Sequence, residues 1–276
     1  MSSIDELLTG SALVVTEARI LVAHALCAER SWIVAHGRDS VSDAQTHAVE
    51  VLFARRRVGE PIAYITGERE FYGLSLHVTP SVLIPRPETE LVVEQALTHI
   101  AGRRTPKVLD LGTGSGAIAV SIAHARRDAQ VCASDASAEA LAVASRNASR
   151  HAVAVRFVQG DWFEALDRER FDLIASNPPY VADADPHLEE GDVRFEPQSA
   201  LRGGPDGLDC IRRVAAEARI HLTPGGWLVF EHGYDQGPAC VRLLVGLGYT
   251  GVTDARDLSS LPRVCKGQFD APPRRG

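Results

Sequence analysis

Hydrophobic and polar positions along the 276-residue chain fall into two regimes. Up to about residue 70 the spacing is helical. Leu13, Glu17, Ile20, Leu21 and His24 fall at helical intervals, and Ala18, Ala23 and Ala25 are strong helix formers. Residues 44–57 form a second helical stretch with Ala48, Val51 and Leu52 expected on its apolar side, and Pro61 opens a new element. Residues 71–85 change character. Phe71 to Val78 alternates with a Gly interruption, and Pro80, Pro85 and Pro87 punctuate the stretch after it, which predicts a hairpin or extended connection.

From about residue 88 short apolar runs alternate with helical stretches. Helices are expected at 88–100, 116–125, 138–150, 207–222 and 236–247. Strands are expected at 107–111, 130–134, 153–158, 171–176, 226–231, 249–253 and 263–269. Strands separated by helices of this length predict an α/β domain with a mostly parallel, doubly wound sheet. The organisation is then a helical domain at 1–70, a hairpin linker at 71–87 and the α/β domain at 88–276, with a frayed tail at 271–276.

Composition narrows the class. Hydrophobic residues make up 45% and charged residues 24%, as in an ordinary globular protein. A net charge of −7 argues against a large nucleic-acid footprint, which needs clustered Lys and Arg. The run Arg55-Arg56-Arg57 is either a local basic patch or a solvated helix face. The five cysteines are scattered without CxxC spacing, so neither a disulfide framework nor a metal site is expected, and a reducing cytoplasm fits. The acidic start and the lack of a long apolar run predict no signal peptide and no membrane span.

Candidate chemistry sits at the carboxyl ends of the expected strands. Gly112-Thr113-Gly114-Ser115-Gly116 follows a strand and opens a helix. The spacing is G-x-G-x-G, where a dinucleotide site has G-x-G-x-x-G. Asp110, just before it, would repel pyrophosphate but suit the ammonium and sulfonium of S-adenosylmethionine. Asp135 ends the next strand, either as a partner of ribose hydroxyls or as a helix cap. Trp162, after Asp161, is placed to pack on an adenine or in the core. Asn177-Pro178-Pro179-Tyr180 closes the strand at 171–176. The Asn177 side-chain oxygen and the Pro178 carbonyl can accept from both N–H groups of a planar nitrogen. The prolines stiffen the loop and Tyr180 can stack on the acceptor. That pattern points to methyl transfer onto a planar nitrogen, with a protein amide and a nucleobase amine both eligible; a plain Pro-rich loop is the bland alternative.

With these residues in place the chain resembles the release factor glutamine methyltransferase family, also called HemK or PrmC. The likeness includes Gly59-Glu60-Pro61-Ile62, Arg69 to Gly73, Leu83 to Glu90, Gly160 to Phe163, Ser176 to Tyr180, Gly191 to Pro197 and Glu231-His232-Gly233. The stretches at 83–90 and 191–197 are the specific ones. The resemblance implies a seven-stranded Rossmann-like class I methyltransferase sheet with its last strand antiparallel. It also implies a small N-terminal helical domain that docks the substrate and a β-hairpin linker. The cofactor contacts it implies are Gly112 to Gly116, Asp135, Trp162 and Asn177, with S-adenosyl-L-methionine as donor. The glutamine-binding and catalytic motif it implies is Asn177 to Tyr180. The partner it implies is the Gly-Gly-Gln loop of peptide chain release factors; a cytoplasmic monomer without direct nucleic-acid contact is expected. A ribosomal-protein glutamine, a nucleic-acid base amine and nicotinamide-dependent redox chemistry are the competing readings. Glu231, His232, Arg86 and Glu88 stay without a definite role.

Overall fold

A computed structural model describes residues 2–270; Met1 and the tail at 271–276, expected to fray, lie outside the described residues. The chain divides into two compact units. One is the chain up to Glu68 together with Glu189–Phe195; the other is Arg69–Leu188 and the chain from Glu196 on.

The first unit holds α1 (Ile4–Gly10), α2 (Val15–Ala25), α3 (Arg30–Ala35), α4 (Asp43–Arg57) and α5 (Ile62–Thr66). Capping boxes start two of them: Ser3 with Glu6 on α1, and Ser42 with Gln45 on α4. Its core joins Ile4, Leu21, Val22, Ile33, Val49 and Phe53. The buried face of α4 is thus Val49 and Phe53, while Ala48 and Val51 are exposed. The expected face was one position off because the helix carries small apolar residues on two sides and only the Phe forces a choice. The arginine run is neither a free patch nor merely solvated. Arg55 pairs with Glu60, Arg56 with Glu17 and Asp192, and Arg57 with Glu50. Three cations in the last turn of α4 also complement its dipole.

The second unit opens with a hairpin, β1 (Glu68–Phe71) and β2 (Leu74–His77). It starts three residues earlier than expected, and Phe71, Leu74 and Leu76 are buried in the main core. There follow α6 (Glu90–Ile100), β3 (Lys107–Leu111), α7 (Ala117–Ala125), β4 (Gln130–Asp135), α8 (Ala138–Arg150), β5 (Val155–Gln159) and β6 (Phe171–Ser176). The chain ends through α9 (Asp209–His221), β7 (Leu222–Glu231), α10 (Gly237–Gly246), β8 (Thr250–Arg256) and β9 (Pro262–Phe269). The seven strands lie in the order β5-β4-β3-β6-β7-β9-β8. Pairing is parallel except that β9 runs antiparallel to both neighbours, which matches the expected reversed last strand. Strand β7 begins at Leu222, four residues before the expected start. Its Pro and Gly residues read as breakers, and the sheet accommodates them at an irregularity in the β6–β7 register.

Both sheet faces are covered, so the strands read as continuous apolar runs. Val108, Leu173 and Val229 pack under α6 and α7, whereas Leu109, Ile174 and Phe230 face α9 and α10. From β3 the chain moves outward through β4 and β5, then returns to the other side of β3 with β6. That reversal opens a crevice at the carboxyl ends of the strands, where open α/β sheets bind ligands.

Candidate active site

A cavity of about 360 Å³ occupies this crevice. Four loops supply its walls: Gly112 to Ser115 after β3, Asp135 to Ser137 after β4, Gly160 to Trp162 after β5, and Asn177 with Pro179 after β6. Val82, Leu83, Pro85 and Thr89 close one side, and Pro197, Ser199 and Ala200 another. Of the expected site residues, Gly112, Thr113, Gly114, Ser115, Asp135, Trp162, Asn177 and Pro179 line the cavity; Asp110, Gly116, Pro178 and Tyr180 do not.

Asp110 is wholly buried. One carboxylate oxygen accepts from Thr113 Oγ1 at 2.5 Å and from the Ala119 N–H at 3.0 Å, while Oδ1 is sealed without a hydrogen-bond partner. Loss of hydration pushes its carboxyl up to about 7, against the pull of these two donors. Asp110, expected as a cofactor contact, stands behind the cavity lining rather than in it. Asp110 points across the sheet under α7 and staples the glycine loop to that helix. It also takes a helix N-terminal N–H that a pyrophosphate would need.

Gly116 has φ +82° and starts α7; a Cβ there would lie 3.0 Å from that of Ala144, which explains the third glycine by packing. At Gly114, with φ +54°, a Cβ would meet nothing within 4 Å. That glycine is there for its backbone turn, which aims the Gly114 N–H at Asp135 Oδ2, 2.8 Å away. Asp135 Oδ1 accepts from the Ser137 N–H at 2.9 Å. Ser137, not Asp135, caps α8 through its hydroxyl, so the capping alternative for Asp135 falls away. Each carboxylate oxygen retains acceptor capacity toward the cavity.

Trp162 has a core side and a cavity side. It packs against the core beneath α9 and also faces the cavity, with Cζ3 3.8 Å from where a Gly112 side chain would begin. Its backbone has φ +52°, uncommon for a non-glycine residue and characteristic of functional loops. Asp161 beside it is held by Arg213 at 2.6 Å.

The acceptor slot is backed by a polar relay that sequence reasoning left unassigned. Asn177 Nδ2 donates to Thr89 Oγ1 at 3.1 Å. Thr89 and Tyr180 hydroxyls both donate to Glu231, at 2.6 and 3.0 Å. Burial and the Glu231 carboxylate push the Tyr180 phenol well above its ordinary value. Arg86 donates to the buried Glu196 at 2.6 Å within this same unit, just ahead of Pro197 on the cavity wall. His232 bonds the Gly233 carbonyl and Asp254, away from the slot. Asn147 was missed altogether. Its buried amide bonds the Ser115 carbonyl and both backbone groups of His77, tying the glycine loop to β2. No sequence pattern marks it, because its partners lie 32 and 70 residues away. Thr89, by contrast, falls within the 83–90 stretch. No group of side chains suited to a metal ion occurs among the described residues.

The cavity's features fit a nucleoside with vicinal hydroxyls and a cationic tail. Asp135 offers acceptors, Trp162, Val82 and Ile118 offer apolar walls, and Asp110 holds an unpartnered buried oxygen under the loop. Sheet order and glycine loop together define a class I, S-adenosylmethionine-dependent methyltransferase. Solved structures agree on the fold. A methyltransferase from Pyrococcus furiosus superposes with a TM-score of 0.56 at 22% identity, covering 79% of this chain and 98% of that one. A T. thermophilus 16S rRNA N2 G1207 methyltransferase bound to AdoMet and guanosine gives 0.55 at 21% identity, over 73% and 49% of the two chains.

Sequence comparison is sharper. The methyltransferase small domain family matches residues 89–192, and the PrmC N-terminal domain family matches residues 6–67. A release factor glutamine methyltransferase from Bordetella pertussis is 50% identical over 97% of this chain and 99% of its own length. Those from Xylella fastidiosa (strain Temecula1) and Escherichia coli are 51% and 42% identical, covering 91% and 92% of this chain and 92% and 91% of theirs. The chain belongs to the release factor glutamine methyltransferase family.

Proposed function

We propose that this enzyme transfers the methyl group of S-adenosylmethionine to the side-chain amide nitrogen of the glutamine in the Gly-Gly-Gln motif of peptide chain release factors. The observation that carries the reading is that Asn177 and Pro179 share one cavity with the glycine loop and Asp135. Donor and acceptor subsites are thus contiguous. When bound, the cofactor supplies an electrophilic methyl on a sulfonium. Gly112 to Ser115, Asp135 and Trp162 are the residues that hold it.

An amide nitrogen is a poor nucleophile because its lone pair is delocalised. Asn177 Oδ1 and the Pro178 carbonyl accept its two N–H groups, which fixes its orientation and raises its electron density. Positioning of this kind is worth up to ~7–11 kcal/mol in ideal cases. No side chain has to act as a base in advance, since the nitrogen loses its proton to water once alkylated. Tyr180 braces the slot through Glu231 and completes the motif. In this reading residues 1–70 dock the release factor, residues 71–87 link them to the catalytic domain, and the protein acts in the cytoplasm as a monomer without direct nucleic-acid contact. No helix among the described residues is long and apolar enough to cross a membrane.

Radiolabelled methyl transfer to a release factor and to its Gly-Gly-Ala variant tests the reading. Label on the first and none on the second is expected. Equal labelling of both, or labelling of free nucleic acid alone, refutes it.

A further inference from the structure

The amide of Asn177 can present either of two faces to the slot: an acceptor oxygen or a donor NH2. Only the oxygen serves a substrate nitrogen that itself carries N–H groups. The hydrogen-bond chain behind the slot decides between them. Thr89 and Glu231 are 4% and 1% exposed, so water does not intervene. A hydroxyl has one proton to give. Glu231 as a carboxylate can only accept, so it takes the Thr89 proton at 2.6 Å. Thr89 Oγ1 is then left to accept, and the 3.1 Å contact from Asn177 brings the NH2 inward. The carbonyl oxygen is the atom that remains for the cavity. Three separate segments converge to set this: the turn at Pro87–Thr89, the loop after β6 and the end of β7.

We propose that Thr89 and Glu231 are positioning residues that fix the orientation of the Asn177 amide and so set the acceptor polarity of the slot. The inference rests on the function proposed above, in which Asn177 receives an N–H of the substrate amide. It carries a consequence. A neutral Glu231 carboxyl can donate to Thr89, whose own proton then turns to Asn177. The amide rotates, and NH2 faces the substrate N–H. Charged and titratable groups facing Glu231 are Arg263 from β9, which favours the carboxylate, Glu88 from the turn before α6, which opposes it, and Tyr180, which donates to it. Burial is the largest influence and pushes the Glu231 carboxyl up to about 7.

The test uses the full-length enzyme and compares Thr89→Val, Thr89→Ser and Glu231→Gln. Circular dichroism and cofactor titration serve as controls for folding. Thr89→Val, close in shape but without the hydroxyl, is expected to lower kcat about 10- to 100-fold, the scale of a misplaced reacting group. Cofactor affinity should stay within about twofold of wild type, and Thr89→Ser should recover most of the rate. Wild-type kcat/KM should climb with pH through about 7, and Glu231→Gln should lose that limb. A substrate-free readout separates this idea from the functional one. The Asn177 side-chain NH2 in the 15N-labelled protein should be protected from exchange, and Thr89→Val should remove the protection. Unprotected NH2 in the wild type, undiminished kcat in Thr89→Val, or a persistent acidic limb in Glu231→Gln each overturns the positioning role. A protected NH2 in an enzyme that fails to methylate release factor would instead sink the assigned substrate.

Discussion

Replacing Asp110 by Asn alters a single proton in the support of the cofactor loop. The carboxyl is raised from 3.8 to about 7, first by lost hydration and then by the nearby Asp135, with the Thr113 and Ala119 donors pulling the other way. Its folded-state pKa thus lies above the unfolded one, so the folded chain keeps a proton that the unfolded chain has released. The associated stability is full below about pH 4 and is lost as pH rises through about 7, with a total of about 4 kcal/mol at ~1.4 kcal/mol per pH unit. The variant has no such proton. Its amide oxygen can still accept from Thr113 and Ala119, while its NH2 inherits the place of the unpartnered Oδ1 at a constant cost of about 1–3 kcal/mol. That constant cancels when two pH values are compared. Between about pH 5 and about pH 8 the stability of Asp110→Asn relative to wild type should rise by about 2–3 kcal/mol. Urea unfolding followed at both pH values measures it. The cofactor's cation should also draw the proton off Asp110, so calorimetry near pH 7 in two buffers of different ionisation heat should register proton release in the wild type and less in the variant. Parallel stability curves, or equal proton release, would refute the account of Asp110.

Three further outcomes rest on packing and hydrogen bonds. Gly116→Ala combines a φ of +82° with a Cβ 3.0 Å from that of Ala144, and should destabilise by about 2–4 kcal/mol in denaturant unfolding; a loss under about 1 kcal/mol would mean the helices shift freely. Asn147→Leu removes three backbone hydrogen bonds, two at His77 and a buried one at Ser115, and should cost about 1–3 kcal/mol, with weakened cofactor binding in a fluorescence titration because the glycine loop loses its anchor. Arg86→Ala removes a charge-assisted hydrogen bond to buried Glu196 and should cost about 1–3 kcal/mol and raise KM more than it changes cofactor affinity; methylation kinetics with unaltered KM would argue against a role for this pair in the cavity wall.

How far the sequence speaks depends on how local the physics is. Strand β3, the glycine loop and α7 follow from the contiguous run 107–125, and the structure places them as expected. Asn177 and Pro179 likewise reach the cavity from the motif that marked them. Asp110 shows the limit. Its charge and position were legible, but the direction of its side chain depends on strand parity, which sends it under α7 and out of the cavity lining. Thr89 and Asn147 lie beyond local reading because each acts on a partner dozens of residues away. The short turns between Pro186 and Ala200 carry no periodicity at all, and only the 191–197 resemblance marked that region.

Two buried carboxylates, one under each half of the cavity, set function against stability along the same axis. Asp110 supports the glycine loop and Glu231 backs the slot, and burial raises both to about 7. For Glu231 the shift from 4.5 corresponds to about 3 kcal/mol of preference for the neutral form. The sign is the same as for Asp110: stability is full below the unfolded value and falls as pH rises through about 7. The ionised form of Glu231 is the one the proposed chemistry uses, to fix Asn177 as an acceptor. The pH of greatest stability should therefore lie below the pH of greatest activity, and the double variant Asp110→Asn/Glu231→Gln should be less sensitive to pH in unfolding yet slower in methyl transfer, as when a site is kept functional at a cost in stability. Stability and kcat/KM measured over about pH 5 to about 9 on the same preparation decide it. Coincident optima in the wild type would show that these carboxylates ionise without cost, and the burial argument for both would fall.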